Sequence, residues 1–154
     1  MMIELHDVTI GERIKGLSTT VSDGQIVCFS GGQGAGKTTL LRALLGFIPI
    51  DSGHISIDGE LLTPQSAPYF RRFTAYVPQF LSLPDGYDKV STDYVLLVQQ
   101  AVHSGKPLLI VDEPPQPLDY DASQTVDRLL AEALQRGATI VAAGTLNVQN
   151  QIAL

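Results

Sequence analysis

Positive charge is in short supply in this sequence: 10 lysines and arginines stand against 16 aspartates and glutamates, a formal net charge of −6. That balance argues against a nucleic-acid-binding surface and leaves room only for a local basic patch. Arg71-Arg72 is too short to be one and reads as a solvated pair. Cysteine is scarcer still. Cys28 stands alone, so no intrachain disulfide can form, and its apolar neighbours make it a small buried hydrophobe. No run approaches the roughly 20 apolar residues that a membrane span needs. The start of the chain, Met1-Met2-Ile3-Glu4-Leu5-His6-Asp7, has neither the basic nor the long apolar portion of a leader. The expected location is therefore cytoplasmic, with attachment to the inner face of a membrane only through a partner. There is no internal repeat, low-complexity stretch or charge block. His6, His54 and His103 lie far apart in sequence, show no metal-ligand spacing and read as surface or strand-edge residues.

What is present fits one folded unit. A chain of 154 residues, 44% hydrophobic and 17% charged, can bury a proper core as a single domain over 1–154. Residues 3–10 alternate loosely as a strand, 18–21 read as a second, and Ser22-Asp23-Gly24 is a turn signal. Residues 25–29 form a buried strand and 38–45 a helix, with Gly46 as its stop. Residues 54–57 alternate as a strand before the hairpin signal Asp58-Gly59. Residues 64–68 read as a polar loop, 74–77 as a strand and 84–86 as a turn. Ser91 is placed to cap a helix over 92–103. Residues 108–111 are an apolar strand. Residues 122–136 form an amphipathic helix with Val126, Leu129, Leu130, Ala133 and Leu134 on one face, and 139–143 a last strand. This order predicts an α/β fold with a mostly parallel core sheet, flanking helices and a small antiparallel portion.

Two motifs carry chemistry. Residues 31–38, Gly31-Gly32-Gln33-Gly34-Ala35-Gly36-Lys37-Thr38, fit the phosphate-loop pattern of nucleotide triphosphatases, and they sit between a predicted strand and a predicted helix. The glycines let successive N–H groups turn toward one anion. Lys37 reaches the β- and γ-phosphates, the Thr38 hydroxyl is a Mg²⁺ ligand, and the helix adds its positive end. Residues 108–113, Leu-Leu-Ile-Val-Asp-Glu, form an apolar strand ending in two carboxylates, which the end of a buried strand delivers to the ligand crevice of an open α/β sheet. There Asp112 would hold Mg²⁺, directly or through water, opposite Thr38, and Glu113 can polarise an attacking water as general base; a solvated acidic turn is the plainer alternative.

Several spaced segments together resemble the nucleotide-binding subunit of ATP-binding cassette (ABC) transporters. They are GGQGAGKTT at 31–39, DSGHISIDG at 51–59, RFTAYVPQ at 72–79 and DEPPQPLD at 112–119. The resemblance runs over about 3–143 and implies a P-loop NTPase fold that binds ATP with Mg²⁺ and hydrolyses it. It adds Thr39 to the nucleotide-binding set and makes Gln79 a sensor of Mg²⁺ or of the attacking water. The loop around Gln79 would couple the site to a partner, a membrane permease or another protein. Asp119 would lie at a head-to-tail interface with a second nucleotide-binding domain, identical or not, though it is equally placed to cap a helix. Tyr69, Phe70, Phe73, Tyr76 and Phe80 cluster around Gln79, as core or as an exposed partner surface.

The chain departs from the family in three places. Only residues 80–89 separate Gln79 from the signature-like stretch Val90-Ser91-Thr92-Asp93-Tyr94, too few for the family's helical subdomain. That stretch replaces the signature glycines with Thr92 and Asp93, and Asp93 would set an anion near an anion. Gly144-Thr145 stands where the family carries a switch histidine. No aromatic is obvious for stacking on adenine, and Arg13 is a weak substitute. Three functions remain open from sequence: an ABC-type ATPase driving a partner, a nucleotide-binding regulatory module with weak or no turnover, and a small-molecule kinase.

Overall fold

The computed structural model describes residues 1–32, 34–79, 90–144, 148 and 150–154, and of residues 90–93 the backbone only. The expected turn at 84–86, the segment 80–89, Gln33 and Thr145 lie outside the described residues.

Two sheets share the chain. The first is antiparallel, in the order β2-β1-β4-β5, from β1 (Ile3–Ile10), β2 (Ile14–Val21), β4 (Ser52–Ile57) and β5 (Glu60–Leu61). In β1 the buried positions Ile3, Leu5, Val8 and Ile10 face the core, and the break in their alternation falls at a bulge around Asp7. Asp58 and Gly59 both have positive φ, 50° and 80°, and close the tight β4–β5 hairpin. β2 is longer than the expected 18–21, because it pairs along β1 from Ile14.

The second sheet is wholly parallel. Its order is β6-β7-β8-β3-β9, from β3 (Ile26–Ser30), β6 (Thr74–Val77), β7 (Leu108–Val111), β8 (Thr139–Ala143) and β9 (Gln151–Ala153). Period-two alternation sends successive side chains to opposite faces. Leu108, Ile110 and Val141 pack with α1 (Lys37–Leu44) and the antiparallel sheet. Leu109, Val111, Ile140 and Ala142 pack with α3 (Val90–His103) and α4 (Tyr120–Gln135). Burial on both faces is what near-continuous apolar runs such as 108–111 require. Strand β9 was not legible in the sequence; it extends the sheet beside β3, and Leu154 N–H donates to Ser30 O at 2.9 Å.

The α/β arrangement agrees with the sequence reading, with two local corrections. Residues 64–68 are not all loop, since α2 (Ala67–Arg71) starts within them. Pro68 falls in its first turn, where no backbone donor is needed, and Thr63 and Ser66 exchange backbone-to-hydroxyl bonds of 2.9 and 3.1 Å just before it. The second is that α3 already includes Val90, one residue before the expected Ser91 cap, whose side chain lies outside the described structure.

Candidate functional site

The carboxyl ends of β3, β6, β7 and β8 lie along one edge of the parallel sheet, and the sequence-predicted residues collect there. The chain leaves β3 at Ser30 and re-enters regular structure at Lys37, the first residue of α1. Gly36 makes the junction with φ 96°, and a Cβ there would lie 3.2 Å from Arg13 Cβ and from Ile14 Cγ1. Only glycine therefore lets the loop pass beneath the β1–β2 turn without strain. Gly31, Gly32 and Gly34 are exposed, Ala35 is half-buried, and Thr39 lies half-buried on α1. Gln33 is outside the described residues.

Lys37 is buried, and its Nζ donates to Gly31 O at 2.7 Å and lies 3.0 Å from Glu113 Oε1. Thr38 Oγ1 donates to Asp112 Oδ2 at 2.8 Å and lies 3.3 Å from Gln79 Oε1. Asp112 is completely buried, immediately after β7. Its N–H donates to Val77 O, and its Oδ1 accepts the Glu113 N–H at 2.8 Å. Burial pushes the Asp112 carboxyl above its ordinary value, against the opposing pull of the Thr38 hydroxyl and the Glu113 N–H. Three side-chain oxygens thus converge, one of them on a buried carboxylate. A hard divalent cation suits such a set: oxygen ligands satisfy Mg²⁺, and its charge offsets the cost of burying Asp112 ionised. Among the described residues no group of three or more His, Cys, Asp and Glu could hold a metal. A cavity of about 480 Å³ opens beside Lys37, Gln79 and Glu113 and runs along residues 114–118.

Some neighbours escaped the sequence reading. Tyr94, read there as part of a signature-like stretch, is buried, and its hydroxyl donates to the Asp112 carbonyl. Burial holds that phenol well above its ordinary value. The signal was available, because 94, 98, 101 and 102 form one apolar helical face and all are buried. Asp119 caps α4, its Oδ1 accepting the Ala122 N–H at 2.7 Å. His6 and His54, far apart in sequence, stack face to face across β1 and β4 with ring centroids 4.7 Å apart. Around α2, Phe70 is buried while Tyr69 and Phe73 are exposed and meet edge to face. Phe80, Thr145 and the side chains of Ser91, Thr92 and Asp93 are outside the described structure.

A family model described as ABC transporter matches residues 14–132. The zinc import ATP-binding protein ZnuC of Yersinia pestis is 33% identical over 132 residues, which cover 82% of this chain and 49% of that protein. The vitamin B12 import ATP-binding protein BtuD of Yersinia enterocolitica is 38% identical over 79 residues, 51% of this chain and 31% of that protein. The chain therefore spans between about a third and a half of the length of these curated relatives. A solved ATP-binding subunit of an ABC transporter superposes with a TM-score of 0.74 at 21% identity, covering 95% of this chain and 80% of that one. A candidate ABC transporter ATP-binding protein of Pyrococcus furiosus does so with 0.73 at 16% identity, covering 100% and 98%. At such identities the two structures speak to the fold.

Proposed function

The chain belongs to the ABC transporter family of ATP-binding proteins, and from that premise we propose that it binds MgATP at the 31–39 loop and hydrolyses it to drive or gate a partner. The observation that carries this reading is the convergence of Lys37, Thr38, Gln79, Asp112 and Glu113 on one sheet edge, within 2.8 to 3.3 Å of one another in successive pairs. The loop amides and Lys37 bind the phosphates. Thr38, Gln79 and Asp112 would hold Mg²⁺, which when bound offsets charge on the phosphate oxygens. Glu113 accepts a proton from the attacking water, and it can do so once Lys37 Nζ turns from it to the phosphates. Gln79 orients that water. We place the protein, as one nucleotide-binding domain over 1–154, at the cytoplasmic face of a membrane beside a permease. No helix among the described residues is long and apolar enough to cross a membrane itself. A second nucleotide-binding domain, from this chain or another, would close the site.

A regulatory module that binds ATP without turning it over is the competing reading, favoured by Gly144-Thr145 in place of a histidine and by Asp93 in the signature-like stretch. Phosphate release by wild type and by Glu113→Gln separates the two. The ATPase reading expects Glu113→Gln to lower kcat by about 10²-fold or more, and equal rates would leave only the regulatory module. Nucleotide affinity in Lys37→Ala tests the loop itself: binding is expected to be lost, and unchanged affinity would remove the phosphate-loop assignment.

A further inference from the structure

Glu113 is held on two sides. Lys37 Nζ takes its Oε1 at 3.0 Å on one. On the other it lies against the bare backbone of Gly144, the first residue beyond β8. Gly144 has φ 122°, a conformation that residues with side chains rarely adopt. A Cβ there would fall 2.8 Å from Glu113 Cβ, 3.3 Å from its Oε2 and 3.7 Å from its Cα. Two Cβ atoms 2.8 Å apart cannot coexist, and something must move.

Gly144 is poorly placed to yield. Its N–H donates to Phe29 O at 3.0 Å, and Cys28 Sγ lies 3.5 Å from its carbonyl, so β3 grips it from both ends. Glu113 is the freer partner. It stands just past β7, partly exposed, and its carboxylate reaches out to the Lys37 side. A side chain at 144 would therefore push Glu113 rather than the reverse.

We propose that Gly144 is a positioning residue for Glu113: the missing side chain at 144 sets where the Glu113 carboxylate sits against Lys37. This rests on the reading of Glu113 as the base. It goes beyond that reading by making a glycine on a different strand responsible for the aim of the carboxylate. A glycine kept only to end a strand would have no reason to affect turnover through Glu113.

A double-mutant cycle tests it, with wild type, Gly144→Ala, Glu113→Gln and the double variant, measuring kcat and KM for ATP, nucleotide affinity and melting. Gly144→Ala is expected to lower kcat by about 10²-fold, the scale of a carboxylate misplaced by about 1 Å. Nucleotide affinity should change far less than kcat, because no residue of the 31–39 loop is replaced and only the Lys37–Glu113 contact shifts. In the Glu113→Gln background the same substitution should leave the residual rate unchanged, since nothing remains to misplace. An unaltered kcat in Gly144→Ala overturns the proposal, and so does an equal loss in both backgrounds. If Glu113→Gln itself matches wild type, the base reading falls and takes this inference with it. If Glu113→Gln is impaired and Gly144→Ala is not, only the inference falls. Should Gly144→Ala fail to fold, Glu113→Gly/Gly144→Ala removes the Cβ that the alanine strikes. Recovery of a folded protein then supports the contact, and continued failure, with Glu113→Gly alone folding, assigns the glycine to its φ of 122° instead and overturns the proposal.

Discussion

Asp112 shows how much one side chain can organise. Both of its carboxylate oxygens accept hydrogen bonds, from Thr38 and from the Glu113 N–H, and its carbonyl accepts the Tyr94 hydroxyl. Strand β7, helix α1 and helix α3 thus meet at a single buried acid. Tyr94 brings a measurable consequence at high pH. Its folded pKa is raised by burial above the ordinary phenol value of 10.0. The unfolded state releases that proton first, so the stability it contributes is complete below the ordinary value and is lost as pH rises above it. Tyr76, also raised by burial, acts in the same direction. Urea midpoints should therefore fall as pH rises above about 10, with a shallower fall in Tyr94→Phe. An equal slope in that variant would remove Tyr94 as the cause. At neutral pH the lost hydrogen bond should cost Tyr94→Phe about 1 kcal/mol.

Helices and strands answer to shorter-range rules, and these explain what could be read in advance. Residues 122–136 announced a helix because the apolar spacing and Gly137 agree. The structure starts that helix at Tyr120, since Asp119 rather than a later residue caps it. Asp119→Ala is expected to cost about 1 kcal/mol, the usual worth of such a cap, seen as a lower denaturation midpoint. Strands 74–77, 108–111 and 139–143 were legible because both faces are buried and the runs are nearly all apolar. Strand β9 was not, because Gln151-Ile152-Ala153 carries no pattern of its own and forms only by pairing with β3. Helix α2 hid behind Pro64 and Pro68, which read as loop until Pro68 is seen to occupy a first turn. The residues that gather at the candidate site were legible where one contiguous motif carries them, at 31–39 and 112–113. They were opaque where contact crosses strands, as between Gly144 and Glu113, for no local spacing encodes that meeting.

The two apolar clusters lie on opposite faces of one parallel sheet and are joined through it: Ile110 belongs to one and Leu109 to the other. A sheet shared in this way should transmit the loss of either face to the other. One unfolding transition is expected by calorimetry, with the calorimetric and van't Hoff enthalpies equal. Ile55→Ala, from the antiparallel sheet, and Leu130→Ala, from α4, should both shift it whole, each costing about 2 to 5 kcal/mol. Two separable transitions would divide the chain into two units.

Leu154 lies beside the 31–39 loop, its N–H on Ser30 O and its carbonyl 3.5 Å from where a Gly31 Cβ would stand. This gives the molecule a built-in observation post. Cys28 is fully buried, so a thiol-reactive dye offered to Leu154→Cys should label the new position alone. The fluorophore would then be attached beside Gly31, and a change in its colour or brightness on adding ATP would report the arrival and departure of a nucleotide in real time, with no need for a modified nucleotide.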